Sequence, residues 1–354
     1  MRYRRLFRRQ STEAAPQLLP QHRSASLLRS GDYSAGVRQG ASAQQAESIE
    51  DAFRLLGGSV PDVMQGISLI ETAAARGEAA ALERKALFEA VGCVRPPNWN
   101  RALDCLRDAA EGGCEIAQEQ LRILARLPAS GFGEPLNWTA VRSQVSIGKL
   151  AEIAKPRAIS ESPRLRLFEE FASAAECAWL VERARHRLRP ALVVDPTGSQ
   201  TAQPVRTNSG IDFQLRDMDL VVEAIRVRIS VATRLPLLLF EPSQVLHYAL
   251  GQEFRPHHDY FDPQLPGHAE ELRRVGQRIA TFLIYLNDGY TGGETTFPRA
   301  KFSFRGNSGN ALFIANVERS GRPDPMTLHS GAPPISGDKW IFSQWIRDKR
   351  PEQS

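Results

Sequence analysis

Arg255-Pro-His-His-Asp-Tyr-Phe261 is the stretch on which the reading of the fold turns. It has the look of a strand running out into a loop, and side chains on a strand alternate faces with a period of two. His257 and Asp259 then fall on one side and His258 on the other, unless the register shifts. An imidazole and a carboxylate so placed can share a metal ion. A second imidazole from another segment would complete a set occupying one face of an octahedral ferrous ion. The other three positions would stay open for a cosubstrate and dioxygen.

The chain has seven histidines. His22 lies near the N-terminus, His186 in a helical stretch, His247 on a strand beside apolar residues and His268 in a polar loop. His329, in Asp324-Pro-Met-Thr-Leu-His-Ser330, follows the central strands in a strand-like context and is the candidate third ligand. Ten residues on stands Lys339, opening Lys339-Trp-Ile-Phe-Ser-Gln-Trp345. The chain holds 39 arginines and only 6 lysines, so a lysine at this place carries weight. A dicarboxylate bound to the metal through one end needs a cation at the other, and a buried lysine supplies a charge-assisted bond. Without an anion its burial would be costly. Gly337-Asp338 forms a turn that would also suit a surface lysine, whereas Trp340 and Trp345 argue for a buried strand.

The 354 residues are enough for two domains, and 42% hydrophobic with 24% charged residues is globular composition. The net charge of +5 and pI near 9.2 come from arginine, a weak argument for a nucleic-acid partner, and none is expected. Cys93, Cys105, Cys114 and Cys177 form no Cys-x-x-Cys pair and read as small core residues of a reducing compartment. No apolar run approaches the ~18 residues of a membrane span. Arg4-Arg-Leu-Phe-Arg-Arg9 has no apolar segment after it, so an export signal is rejected and a cytoplasmic location expected.

Residues 1–47 read as a disordered Arg-rich tail. Residues 48–130 read as helical with an internal repeat: Ile70-Glu-Thr-Ala-Ala-Ala-Arg-Gly77 aligns with Leu106-Arg-Asp-Ala-Ala-Glu-Gly-Gly113 at an offset of 36, and Ala81 aligns with Ala117. Small alanines allow close helix approach, and a period of this length indicates helical hairpins in series. The pattern resembles Sel1-like repeats, relatives of the tetratricopeptide repeat. That implies either a surface for docking a protein partner or a brace that buries apolar area, the brace being favoured. Residues 131–159 read as a linker. Residues 160–349 form the second domain, helices first and then short strands such as Ile279-Ala-Thr-Phe-Leu-Ile-Tyr-Leu286 and Asn310-Ala-Leu-Phe-Ile314. The fold class expected is α+β, a double-stranded β-helix (jelly roll) with its core over about 241–348, preceded by the short helical repeat region.

Tyr248-Ala-Leu-Gly-Gln-Glu-Phe-Arg-Pro-His-His-Asp-Tyr-Phe261 resembles the prolyl 4-hydroxylase group of iron- and 2-oxoglutarate-dependent dioxygenases. So, in order along the chain, do Arg278-Ile-Ala-Thr-Phe-Leu-Ile-Tyr-Leu-Asn287, Gly292-Gly-Glu-Thr-Thr-Phe-Pro298 and His329-Ser-Gly-Ala-Pro-Pro, with Val205-Arg-Thr-Asn-Ser-Gly210 upstream. The resemblance implies that His257, Asp259 and His329 bind Fe(II) and that Lys339 and Tyr248 hold the distal carboxylate of 2-oxoglutarate. It further implies that Thr281 assists, that Trp345 walls the pocket and that Arg206 and Ser209 lie near the substrate groove. Tyr260 to Gln277 would be a mobile lid. Dioxygen is the second cosubstrate and L-ascorbate an accessory reductant. The reaction implied is hydroxylation of an unactivated carbon in a peptide or protein, foremost a peptidyl proline, coupled to decarboxylation of 2-oxoglutarate to succinate. Asp259 favours hydroxylation over halogenation, for halogenating relatives lack that carboxylate. A free amino acid or small metabolite is the alternative substrate. A zinc hydrolase on the same ligands fits Lys339 and Tyr248 less well, and the intact ligand set speaks against a binding protein with an idle barrel. One departure is the enlarged turn Arg305-Gly-Asn-Ser-Gly-Asn310.

Overall fold

The computed structural model describes residues 49–128, 136–191, 193–194, 200–201 and 205–349. The tail read over 1–47 lies outside the described residues. The chain divides into two compact units. One runs to Leu150 and takes in Gln214–Ala224; the other holds Ala151–Phe213 and the chain from Ile225 on.

The first unit is helical, with Ile49–Leu55, Val60–Ala75, Ala79–Val91, Trp99–Glu111 and Glu115–Leu124 joined by tight turns. The offset of 36 seen in the sequence is the spacing of two helical hairpins: helices begin at Ala79 and at Glu115. Ala73, Ala74 and Ala81, and their counterparts Ala109, Ala110 and Ala117, are all buried where the helices meet. Gly77 and Gly113 turn the chain at φ +84° and +86°, a conformation that costs other residues free energy. The segment expected to be a linker carries two more helices, Trp138–Gln144 and Ile147–Leu150. Asn137 caps the first, and Arg142 pairs with Asp104 at 3.0 Å. Their brevity hid them: Val141 and Leu150 are the buried anchors, too few for a periodic pattern.

The second unit opens with the hairpin Arg157–Glu161 and Arg164–Phe168 and centres on two antiparallel sheets. In spatial order the larger sheet runs Arg157–Glu161, Arg164–Phe168, Ala311–Ala315, Arg278–Tyr285, Lys339–Arg347, Ser243–Tyr248, Ser209–Phe213 and Arg189–Pro190. The smaller runs Phe302–Phe304, Thr295–Phe297, His329–Gly331 and Phe254–His257. Leu165, Tyr248, Leu283, Tyr285 and Ile341 of the larger sheet share one apolar core with Phe297 of the smaller. This is the expected jelly roll. The central strand Arg278–Tyr285 is buried on both faces, which explains its unbroken apolar run. Thr281, Leu283 and Tyr285 face the smaller sheet. Phe282 faces the other way and meets Phe168 and Phe171 at 5.5 and 4.8 Å between ring centres. The enlarged turn before Ala311 is accommodated by Gly309: at φ +82°, its position would put a Cβ 2.2 Å from the Ala172 carbonyl oxygen.

Contrary to the reading of 160–349 as one continuous domain, residues 214–224 cluster with the helices. Hydrophobic periodicity cannot reveal such an excursion, because the segment follows directly on a strand and runs into a helix.

Candidate active site

Phe254–His257 is an edge strand of the smaller sheet, where Pro256 is tolerated because no neighbour needs its missing N–H. It pairs antiparallel with His329–Gly331 in a register that sets His257 opposite His329. Asp259 follows two residues on. His257 Nε2 lies 3.6 Å from Asp259 Oδ1, and His329 Nε2 lies 3.5 Å from Asp259 Oδ2. One donor atom from each of the three falls within 4.8 Å of the others, the group of this kind found among the described residues. His257 Nδ1 donates to the Arg255 carbonyl at 2.8 Å and His329 Nδ1 to the Thr327 carbonyl at 2.9 Å. Those bonds hold both rings in the tautomer that leaves Nε2 a lone pair toward the common centre. His258 points elsewhere, with Nε2 3.3 Å from the Pro325 carbonyl and its ring stacked on Tyr260.

Burial alone would raise the pKa of Asp259, but the two imidazoles and a hydrogen bond outweigh it and hold the carboxyl well below the usual range. Burial pushes His329 down to about 4, against the pull of Asp259. At neutral pH the cluster thus offers a carboxylate and at least one neutral imidazole, the forms that bind a metal.

Thr281 was expected to assist the cosubstrate, but its hydroxyl is spent elsewhere. It donates to Asp259 Oδ2 at 2.6 Å and accepts from Asn316 Nδ2 at 2.9 Å. It orients the Asp259 carboxylate. Ser209 is likewise not beside the cleft. It pairs in register with His247, on the face of the sheet away from Tyr248, and its hydroxyl lies 3.2 Å from His247 Nδ1. His247 Nε2 in turn meets Asp338 at 3.0 Å. Arg206 does reach the cleft. Its guanidinium sits 4.6 Å over Phe254, whose ring stacks on His257 at 3.4 Å.

The cleft is walled by Tyr248, Lys339, Trp345 and Arg206 beside the His–Asp–His cluster. Lys339 and Tyr248 are register partners on adjacent strands. Lys339 is only 2% exposed, and its Nζ lies 5.0 Å from the Tyr248 ring centre. Among the described residues no carboxylate lies within ion-pair distance of it, and burial pushes its pKa down to about 7. Tyr248 is pushed up to about 12, so its phenol stays neutral. Trp345 Nε1 is buried with no hydrogen-bond partner among the described residues. A desolvated cation and an orphaned donor in one cleft fit an anion with several acceptor oxygens. These residues fit 2-oxoglutarate at one end of the cleft and Fe(II) at the other.

Sequence reasoning missed a buried ionic brace behind the site. Glu241 takes Arg278 at 2.6 Å and Arg347 at 2.7 Å, and Arg347 also reaches Glu271 at 2.9 Å. The Phe261 ring centre lies 5.0 Å from each of the two guanidiniums, and Arg278 stacks on Trp345 at 3.6 Å. The Gln277 side chain bonds both backbone groups of Phe261, at 2.8 and 2.7 Å. The segment Tyr260–Gln277, expected to be a mobile lid, therefore has both roots fixed and carries a helix, Pro266–Val275. Charged residues in a strand pattern read as exposed, which is why the brace was invisible; Gln277-Arg278 ahead of an apolar strand was its one trace.

Residues 243–347 match the 2OG-Fe(II) oxygenase superfamily, 2OG being 2-oxoglutarate. Prolyl 4-hydroxylase 1 of Arabidopsis thaliana is 36% identical over 210 residues, which cover 55% of this chain and 72% of that protein. Probable prolyl 4-hydroxylase 10 of the same plant is 37% identical over 209 residues, covering 53% and 70%. Among solved structures, the viral collagen prolyl hydroxylase of Paramecium Bursaria Chlorella virus-1 is 27% identical, with a TM-score of 0.40 over 52% of this chain and 95% of that one. The chain belongs to the 2OG-Fe(II) oxygenase superfamily, in its prolyl 4-hydroxylase family. It is a 2-oxoglutarate-dependent dioxygenase, whose cofactor and cosubstrates are Fe(II), 2-oxoglutarate and dioxygen.

Two outcomes follow from the buried charges. Lys339→Met should stabilise the ligand-free protein at pH 7 by about 1–4 kcal/mol, measured by denaturant unfolding, since it removes an uncompensated buried cation. Burial holds the folded pKa of Lys339 near 7, below the ordinary 10.5 of a lysine, so the unfolded chain binds more protons between these values. The advantage of the variant should be full below pH 7 and shrink as pH rises toward 10. Glu241→Leu strands two guanidiniums and should cost about 3–5 kcal/mol in the same measurement.

Proposed function

We propose that the protein hydroxylates a prolyl residue of a peptide or protein, with His257, Asp259 and His329 holding Fe(II) and Lys339 and Tyr248 holding the far carboxylate of 2-oxoglutarate. The observation that carries this reading is the buried Lys339, with no carboxylate within ion-pair distance among the described residues, in the same cleft as His257, Asp259 and His329. A hydrolytic metal centre has no use for such a cation. The kinship with plant prolyl 4-hydroxylases supports proline as the target.

Each side chain has a defined task. Arg255 and Thr327 carbonyls and the Thr281 hydroxyl fix the orientation of the three ligands. Protonated Lys339 neutralises the distal carboxylate, while the neutral Tyr248 phenol and the Trp345 indole N–H donate to acceptor oxygens in the cleft. Apolar walls from Leu246, Leu283 and Ile341 keep bulk water out. Bound together, iron and 2-oxoglutarate supply the activation of dioxygen that hydroxylates an unactivated carbon and releases succinate. Arg206, at the cleft beside Phe254, is placed to steady the substrate as well as the His257 ring.

Among the described residues no helix is long and apolar enough to cross a membrane. The four cysteines are unpaired, which supports the cytoplasmic assignment.

The test is succinate formation with Fe(II), 2-oxoglutarate, ascorbate and proline-containing peptides, with mass spectrometry locating the added oxygen. Hydroxyproline in the peptide is the expected product. Turnover of free proline but of no peptide would move the substrate class to small molecules. Lys339→Met should raise the KM for 2-oxoglutarate by about 10²-fold or more, a loss on the order of 3 kcal/mol as befits a charge-assisted contact.

A further inference from the structure

The helical unit buries a polar network at its centre. Glu83 and Arg84 are each 5% exposed and Gln120 is 0% exposed, on the second helices of the two hairpins. Burying such groups is costly unless each is bonded. Arg84 Nε and Nη2 donate to the two carboxylate oxygens of Glu83, both at 2.8 Å, and Gln120 Nε2 donates to Glu83 Oε1 at 2.6 Å. What is left of the network is directed at the main chain of one segment. Arg84 Nη1 donates to the Met218 carbonyl at 2.6 Å and to the Arg216 carbonyl at 3.4 Å. Gln120 Oε1 accepts from the Leu220 amide at 2.9 Å. Leu215 of the same segment packs on the apolar cluster of Ile67, Ile70 and Phe88. Met218 and Leu220 are buried.

Buried side chains from two successive repeats that bond backbone groups of Arg216, Met218 and Leu220, in a segment that turns at 215–217 and opens a helix at Leu220, form a peptide-reading device. It reads main chain through Arg84 and Gln120 and apolar side chains through the neighbouring core. We propose that this interior is a peptide-recognition site whose ligand is residues 214–224 of its own chain. The helical unit is then an intramolecular clamp on the chain that follows the strand Ser209–Phe213, and this face is not available to recruit a separate protein. The clamp closes a long loop, and a tethered ligand is present at high effective concentration, so it outcompetes a free peptide.

A fluorescently labelled synthetic peptide spanning residues 213–225, titrated into the full-length protein and followed by anisotropy, tests this. The wild type should bind it weakly, because the site is filled. Leu215→Asp with Met218→Asp should free the site, and that variant should bind the peptide at least about tenfold more tightly. Adding Arg84→Met should return binding to the wild-type level. A double variant that binds no better than wild type, or one whose binding ignores Arg84→Met, overturns the proposal. Hydrogen exchange guards against a variant that fails to fold. In Arg84→Met alone the Leu220 amide should exchange at least about tenfold faster while the amides of Lys339–Arg347 keep their protection. Unchanged protection at Leu220 would equally overturn it.

Discussion

The antiparallel pairing of Phe254–His257 with His329–Gly331 is the constraint on which the rest of the site depends. It brings His257 and His329, seventy-two positions apart, face to face, and the bend that follows the strand brings Asp259 within 3.6 Å of one ring and 3.5 Å of the other. Hydrogen bonds to the Arg255 and Thr327 carbonyls then choose the tautomers, and Thr281 turns the carboxylate. A slip of one residue in this pairing would aim His258 inward and lose the cluster. The larger sheet does the same for the other end of the cleft, where the register of Lys339 with Tyr248 sets a cation beside a phenol.

Burial decides the chemistry of both ends. Around Asp259, attraction to two imidazoles outweighs desolvation and the carboxylate stays ionised. Around Lys339 nothing comparable offsets desolvation, and its pKa falls to about 7. A cation kept in that state is unstable by itself and is stabilised by an incoming dianion. The ionic brace of Glu241, Arg278 and Arg347 holds the walls still behind this site, by stacking on Phe261 and Trp345.

The grouping of His257, Asp259 and His329 and the burial of Lys339 were legible in the sequence because they rest on local signals: the close spacing of His257 and Asp259, the scarcity of lysine, an apolar strand around the cation. The helical hairpins were legible for a similar reason, since small alanines and turning glycines recur at 36 residues. What escaped has a common physical cause. Ser209 was assigned to the groove by its place in a motif, yet which face of the sheet it takes depends on its pairing with His247. Thr281 faces inward as expected, but only the three-dimensional arrangement shows its hydroxyl committed to Asp259 and Asn316. Glu83, Arg84, Gln120 and Glu241 are charged or polar residues that bury themselves by pairing across long stretches of chain, and no periodic pattern encodes that.

The most direct test of the account is Fe(II) binding to the purified protein under anaerobic conditions, measured by metal analysis after dialysis. One iron per chain should bind to the wild type and to His258→Ala, and none above background to His257→Ala. Equal iron content in all three, or loss in His258→Ala with retention in His257→Ala, would contradict the assignment of the centre.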